Sequence, residues 1–295
     1  SLRMGRLGYQ SDAQSSLAVS YNGLKGYAAS LQDALTRAYP AYEAIGIQDE
    51  QGGYKQLSTS LLQIENEFYS TIRPKRVIQS GERPLHALRE RGVEYVEVRC
   101  MDLNPFLTIG IDESTVRFLD TFLLHCLLSD SPLDTPQEIA ALARNQQAVA
   151  ARGREPGLRL ERGGEPVVLM EWAQEVLAEC APIAEALDAL HGGEGYRQAC
   201  ASAVAALRDP ATLPSAQVVA AMQRDLAGGH VGFALARSAQ TRQALTALDL
   251  PADVLAHFEQ QAQASLVEQA SIEAADTLPF EAFRQDYMSA SHLVV

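Results

Sequence analysis

The chain has 295 residues, of which 47% are apolar and 21% charged, a globular balance that argues against disorder. Its formal net charge of −13 argues against nucleic acid as the main partner, because phosphate neutralisation needs a basic surface. The longest apolar run, FLDTFLLHCLLS, carries Asp120 and His125 and falls short of the roughly 20 residues that a membrane-spanning helix needs.

In chain order, residues 1–10 read as a short extended segment, with Leu2 and Met4 on one face and Arg3 on the other. SLRMGRLGY opens without an initiator methionine or a leader, so the expectation is a piece of a larger polypeptide. Leu24, Tyr27, Ala28, Leu31, Leu35 and Ala38 recur at helical spacing, with Asn22 as the expected N-cap and Pro40 as the stop. DEQGG at 49–53 is a turn. LLQIENEFYSTIR at 61–73 alternates and predicts a strand, with Leu62, Ile64 and Phe68 on one face and Gln63, Glu65, Glu67, Tyr69 and Arg73 on the other. A short helix follows, opened by Pro84, with Leu85 and Leu88 inward and Gly92 at its end. GVEYVEVRCMDLNPF then predicts a second strand over about 93–103. Val96, Val98 and Cys100 point toward a core, and Tyr95, Glu97 and Arg99 point away from it.

Beyond residue 113 helices dominate. ESTVRFLDTFLLHCLL predicts one with Val116, Leu119, Leu123, Cys126 and Leu127 along its inner stripe. GREPGLRLERGGEP at 153–166 is a loop or small hairpin. Helices follow near 171–190, 194–207, 215–227, 231–247, 251–275 and 279–288, with stop signals at Gly192–Gly193, Asp209–Pro210 and Gly228–Gly229. GGHVGFAL at 228–235 looks like a phosphate loop but lacks the GK[ST] ending and reads better as a helix boundary. Cys100, Cys126, Cys180 and Cys200 show no CxxC or zinc-site spacing, which predicts reduced thiols in a cytoplasmic protein. The fold class expected is α+β, a small antiparallel sheet followed by a large helical region.

The chemistry concentrates on the two strands. Glu97 and Arg99 share a strand face, and the neighbouring strand repeats the theme with Glu65, Glu67 and Tyr69. The intervening IRPKRVIQSGERPLHALRERG is basic in an acidic protein. Arg83, Arg89 and Arg91 read as solvated helix surface, whereas Arg73, Lys75 and Arg76 continue the polar strand face. Carboxylates able to hold Mg²⁺ beside guanidinium groups able to hold phosphate oxygens are what phosphoryl transfer requires.

SLRMGRLGY, LQIENEFYSTIRPKR, GVEYVEVRCMDLNPF and GIDESTVRFLD together resemble the C-terminal half of glutamate–cysteine ligases of the proteobacterial type. The match runs on more loosely through GREPGLRL and LHGGEGY to EAADTLPFEAF. The resemblance implies a glutamine-synthetase-like cup, a curved antiparallel sheet whose second half is residues 1–112, with residues 113–295 as a helical region packed on the catalytic domain. It implies ATP-dependent joining of the glutamate γ-carboxyl to cysteine through γ-glutamyl phosphate, the first step toward glutathione, with Mg²⁺ or Mn²⁺. By the same resemblance Glu97 is a metal ligand, and Arg99 faces the transferring phosphoryl group. Arg3 lies in the substrate site, and Tyr9 and Tyr69 form the cysteine subsite. Arg73 and Lys75 contact nucleotide. The remaining metal carboxylates belong to an N-terminal half, the expected partner. Two other readings are a carboxylate–amine ligase with another amine acceptor and a non-catalytic nucleotide-binding fragment.

Overall fold

A computed structural model of the chain describes residues 1–8, 11, 13–225 and 229–293. It divides into two compact units, each assembled from three stretches of chain. One comprises Ser1–Tyr27, Ser70–Ile72 and Val98–Thr241; the other comprises Ala28–Tyr69, Arg73–Glu97 and Arg242–Val295. Among the described residues the architecture is mixed, with eleven α-helices and two small two-stranded sheets.

The second unit begins within helix α1, Leu24–Thr36, whose Ala28, Leu31, Ala34 and Leu35 are buried. The predicted stripe holds at Ala28, Leu31 and Leu35; Ala34 joins it unpredicted, and Ala38, past the helix end, is exposed. The N-cap differs. Asn22 does not close the helix, because its amide donates to Pro132 O at 2.7 Å and its carbonyl accepts from Asp134 N. Pro40 stops the periodicity and opens a short helix α2, Pro40–Ile45. The turn at 49–53 forms as read: Asp49 N donates to Gly53 O at 2.8 Å, and Asp49 Oδ1 accepts from Gly53 N at 2.7 Å.

The predicted strand over 61–73 is present only as β1, Ile72–Lys75. Residues 65–67 form a single 3₁₀ turn, and Glu65, placed by alternation on the polar face, is buried. The helix after it is found as predicted: α3, Pro84–Arg91, buries Leu85, Ala87 and Leu88. It ends at Gly92, whose φ of 72° lies in the left-handed region that glycine adopts without strain. The second strand is shorter than predicted. β2 covers Tyr95–Val98 and pairs with β1. Its pattern stops at Cys100, a non-glycine residue at φ 61°, which breaks the alternation. The face carrying Val96 and Val98 is not core in this chain, since those side chains are 46% and 37% exposed.

In the first unit, residues 1–8 are turns rather than extended chain: Gly5 N donates to Ser1 O and Gly8 N to Gly5 O, both at 3.0 Å. Asp112 caps helix α4, Glu113–Leu128, by accepting from Thr115 N at 2.8 Å. The inner face of α4 is not the predicted stripe, because Val116 and Leu127 are exposed. Thr121 is fully buried, and Phe118 and Phe122 pack on a core of Cys180, Ala184 and Cys200. Helix α5, Pro136–Arg152, is not among the predicted helices although Thr135-Pro-Gln-Glu138 is a start signal; Thr135 Oγ1 accepts from Glu138 N at 3.2 Å. The hairpin forms from β3, Arg159–Arg162, and β4, Glu165–Val168. Gly163 and Gly164 both have positive φ, as a two-residue hairpin turn demands.

Helix α6, Leu169–His191, and helix α7, Gly195–Arg208, pack together. Asp188 of α6 caps the start of α7 from outside, accepting from Tyr196 N at 2.9 Å and Arg197 N at 3.1 Å. Burial opposes ionisation of Asp188, but these amides and the Arg197 guanidinium outweigh it and hold its carboxyl below the usual range. The remaining helices follow prediction within a few residues: α8, Pro214–Asp225; α9, His230–Thr246; α10, Ala252–Ala275; α11, Phe280–Tyr287. Gly228, the first residue of the GGHVGFAL stretch, lies outside the described residues; α9 occupies the rest from His230.

In the second unit α11 is anchored by charge. Glu281 accepts from Arg284 at 2.8 and 2.7 Å and from the Tyr54 hydroxyl at 2.6 Å. Arg284, then Tyr54, then Gln285 hold the Glu281 carboxyl at about 2, against an ordinary 4.5. A carboxylate whose folded pKa is depressed stabilises fully above its unfolded pKa and loses that contribution as pH falls toward the folded value. Glu281 therefore contributes at neutral pH and loses its contribution between about pH 4.5 and pH 2. Thermal melts across that range are expected to show Glu281→Gln below wild type at pH 7, the two converging near pH 2. A constant gap would contradict this anchor.

Candidate functional site

The residues singled out by sequence fall in both units. Tyr69, Arg73, Lys75 and Glu97 belong to the second unit; Arg3 and Arg99 belong to the first. Tyr9 lies outside the described residues.

β1 and β2 bring Lys75 and Glu97 together. Glu94 N donates to Lys75 O at 2.9 Å, which fixes the register, and Lys75 Nζ lies 3.6 Å from Glu97 Oε2. The two side chains are 34% and 39% exposed, so the pair is worth roughly 0–1 kcal/mol and can be exchanged for ligand without large cost. Arg73, one strand position before Pro74, is buried. Its Nη2 donates to Asn66 O at 2.8 Å and to Phe68 O. Tyr69 is half-buried immediately after that carbonyl pair. In the first unit Arg3 is exposed within the turns at 1–8, and half-buried Arg99 donates its backbone N–H to Thr71 O at 2.7 Å.

Sequence reasoning missed Arg83. It reads as solvated helix surface, yet it is 1% exposed and forms an ion pair with Glu65, itself 6% exposed. Arg83 Nε lies 3.0 Å and Nη2 2.7 Å from Glu65 Oε2, and Leu85 N points at Oε1 from 3.4 Å. Nη1 donates to Tyr287 O at 2.6 Å, and the guanidinium lies 4.6 Å from the centre of the Tyr287 ring. No local signal marks it, because its partners, Glu65 and the Tyr287 carbonyl, lie 18 and 204 positions away. Arg91, also read as solvated surface, is half-buried, and its paired hydrogen bonds, with the Gln79 backbone N–H, hold the Glu82 carboxyl at about 2.

Among the described residues no three His, Cys, Asp or Glu side chains gather to hold a metal ion. Mg²⁺ is ordinarily held by one or two carboxylates together with phosphate oxygens and water, so one carboxylate beside cationic side chains fits as part of such a donor set. Among the same residues no helix is long and apolar enough to cross a membrane.

The family model for glutamate-cysteine ligase matches residues 1–149. The chain is 48% identical over 290 residues to the glutamate–cysteine ligase of Pseudomonas paraeruginosa, covering 98% of this chain and 54% of that protein. It is 46% identical to the Azotobacter vinelandii enzyme of the same name, with the same coverage. The crystal structure of glutamate–cysteine ligase from Francisella tularensis in complex with AMP superposes with a TM-score of 0.90 at 34% identity, over 99% of this chain and 57% of that one. The chain thus spans about half the length of the curated relatives it matches.

Proposed function

The chain belongs to the glutamate–cysteine ligase family, and on that premise we propose that it is the C-terminal half of an ATP-dependent ligase that joins glutamate to cysteine. Residues 1–112 are read as the second half of a curved catalytic sheet, and residues 113–295 as the helical region packed on it. β1 and β2 would be two strands of that sheet, the others coming from the N-terminal half. The exposure of Val96 and Val98 supports this, since a strand face rich in valine ordinarily lies against other chain.

The reaction activates the glutamate γ-carboxylate as an acyl phosphate, which the cysteine amine then attacks, expelling phosphate. Glu97 is the residue that would hold Mg²⁺ or Mn²⁺, which when bound offsets negative charge on the phosphate oxygens. Arg99 stabilises charge on the transferring phosphoryl group, and a guanidinium suits that task because its planar fork binds two oxygens at once. Arg73 and Lys75 contact nucleotide; the solvent-screened pair with Glu97 would leave Lys75 available to a phosphate oxygen if Glu97 held a cation. Arg3 holds a substrate carboxylate or phosphate oxygen. Tyr69, with Tyr9, shapes the cysteine subsite and helps exclude water that would hydrolyse the acyl phosphate. A cytoplasmic location suits an enzyme whose substrate carries a free thiol.

The single observation carrying this reading is the 0.90 TM-score over 99% of the chain to a ligase structure in complex with AMP. Its test is complementation. The isolated chain is expected to show almost no glutamate-, cysteine- and ATP-dependent phosphate release, and activity is expected to appear when an N-terminal half from the same family is added. Full activity from the chain alone, or none after complementation by a half shown to bind it, would overturn the reading.

A further inference from the structure

We propose that α11 and the buried Arg83–Glu65 pair form a positioning scaffold for Arg73, so that a helix more than 200 positions away in sequence sets nucleotide affinity. This rests on the reading of Arg73 as a nucleotide contact.

The argument starts at Arg73. Its guanidinium is held by two main-chain carbonyls, those of Asn66 and Phe68, so its position follows that of residues 66–68. Those residues have no sheet neighbour to hold them; their regular structure is one 3₁₀ turn. Beyond the turn's own backbone bonds, Glu67 N to Ile64 O at 3.1 Å and Phe68 N to Glu65 O at 3.2 Å, side chains tie it to the rest of the unit by two routes. In the first, Glu65 at its start is clamped by Arg83, whose Nη1 ends on Tyr287 O in α11. In the second, Glu67 Oε2 accepts from Gln63 N at 2.7 Å, and Gln63 Oε1 accepts from Leu57 N at 2.6 Å. Leu57 O in turn accepts from Arg284 Nη1 at 2.6 Å. Both routes end on α11. Arg284 is itself oriented by its two bonds to Glu281.

A buried ion pair is a poor source of stability, because desolvation offsets most of the attraction. What it does supply is a fixed geometry, since two charges out of water tolerate only the arrangement that satisfies both. An irregular segment that must present a guanidinium within a fraction of an ångström is where such a device has a use.

The test compares Arg284→Met, Arg284→Lys and Arg73→Met in the complemented, active protein, at a temperature where circular dichroism shows each folded. The readouts are kcat, KM for ATP, KM for glutamate, and amide exchange over residues 63–69. Arg284→Met is expected to raise KM for ATP on the order of tenfold while kcat and KM for glutamate stay near wild type. Amides 63–69 are expected to exchange faster, and Arg284→Lys to restore most of both effects. If Arg284→Met does not fold, Glu281→Gln, which loosens Arg284 without removing it, is expected to show the same rise at smaller size. An unchanged KM for ATP in the folded variant, beside a raised KM in Arg73→Met, would overturn the scaffold and leave the nucleotide reading standing. An unchanged KM in Arg73→Met would overturn both.

Discussion

Glu97→Gln is expected to lower kcat/KM of the complemented ligase by orders of magnitude while leaving its melting temperature nearly unchanged. The substitution keeps the size of the side chain and its reach toward Lys75, and removes only the charge. The two side chains of the pair it dissolves are 34% and 39% exposed and so partly screened, and the stability at stake is roughly 0–1 kcal/mol. A metal-bound phosphate depends on that charge much more, because a neutral amide is a poor ligand for Mg²⁺ and leaves negative charge on the phosphate oxygens uncompensated. Initial rates over a range of Mg²⁺ concentrations, paired with a thermal melt, separate the two effects. Retention of comparable kcat/KM would remove Glu97 from the metal site.

Arg83→Met is expected to cost stability above all, alongside the rise in KM for ATP that follows if its pair with Glu65 positions Arg73. It leaves the Glu65 carboxylate buried against Leu85 N with its strong partner gone, a change that costs about 3–5 kcal/mol when one member of a buried pair is removed. Urea denaturation of the protein read by a probe in this region is the measurement. Arg83→Met combined with Glu65→Leu removes both charges and is expected to recover much of the loss, since the penalty lies in the orphaned carboxylate. A cost of no more than about 0.5 kcal/mol for Arg83→Met alone, the range of an ordinary surface change, would show that the pair is not desolvated in solution.

These two positions mark where the sequence was legible and where it was not. Helix α3 could be read from Pro84, Leu85, Leu88 and Gly92 because every signal is local. The hairpin β3–β4 could be read from its paired glycines for the same reason. Of the strand expected over 61–73 only the last two residues formed, because alternation assigns Glu65 outward, and only a partner 18 residues on makes its burial possible. On α4 the predicted stripe missed Thr121, which is buried because its hydroxyl donates to Arg117 O at 2.9 Å, one turn back, and so enters the core already satisfied. Val96 and Val98 read as core and are exposed, a mismatch that no described residue resolves. Of the candidate site, the convergence of two polar strand faces was legible, and the Lys75–Glu97 ion pair itself was not. The scaffold through Leu57, Gln63 and Arg284 was not, since none of those residue types signals a role by spacing.

The same long-range closure bears on how the chain is made. Tyr54 meets Glu281 and Leu57 meets Arg284 at separations of 227 positions, and Arg83 meets Tyr287 at 204. On the ribosome, then, Arg83 and the 57–69 segment emerge long before the helix that completes their hydrogen bonds. During that interval Arg83 lacks one of its acceptors, and the nascent polypeptide must wait, partly open, for most of its remaining length to be translated. Contacts of such high order slow acquisition of the native state and extend the time in which unfinished chains are exposed to chaperones and proteases.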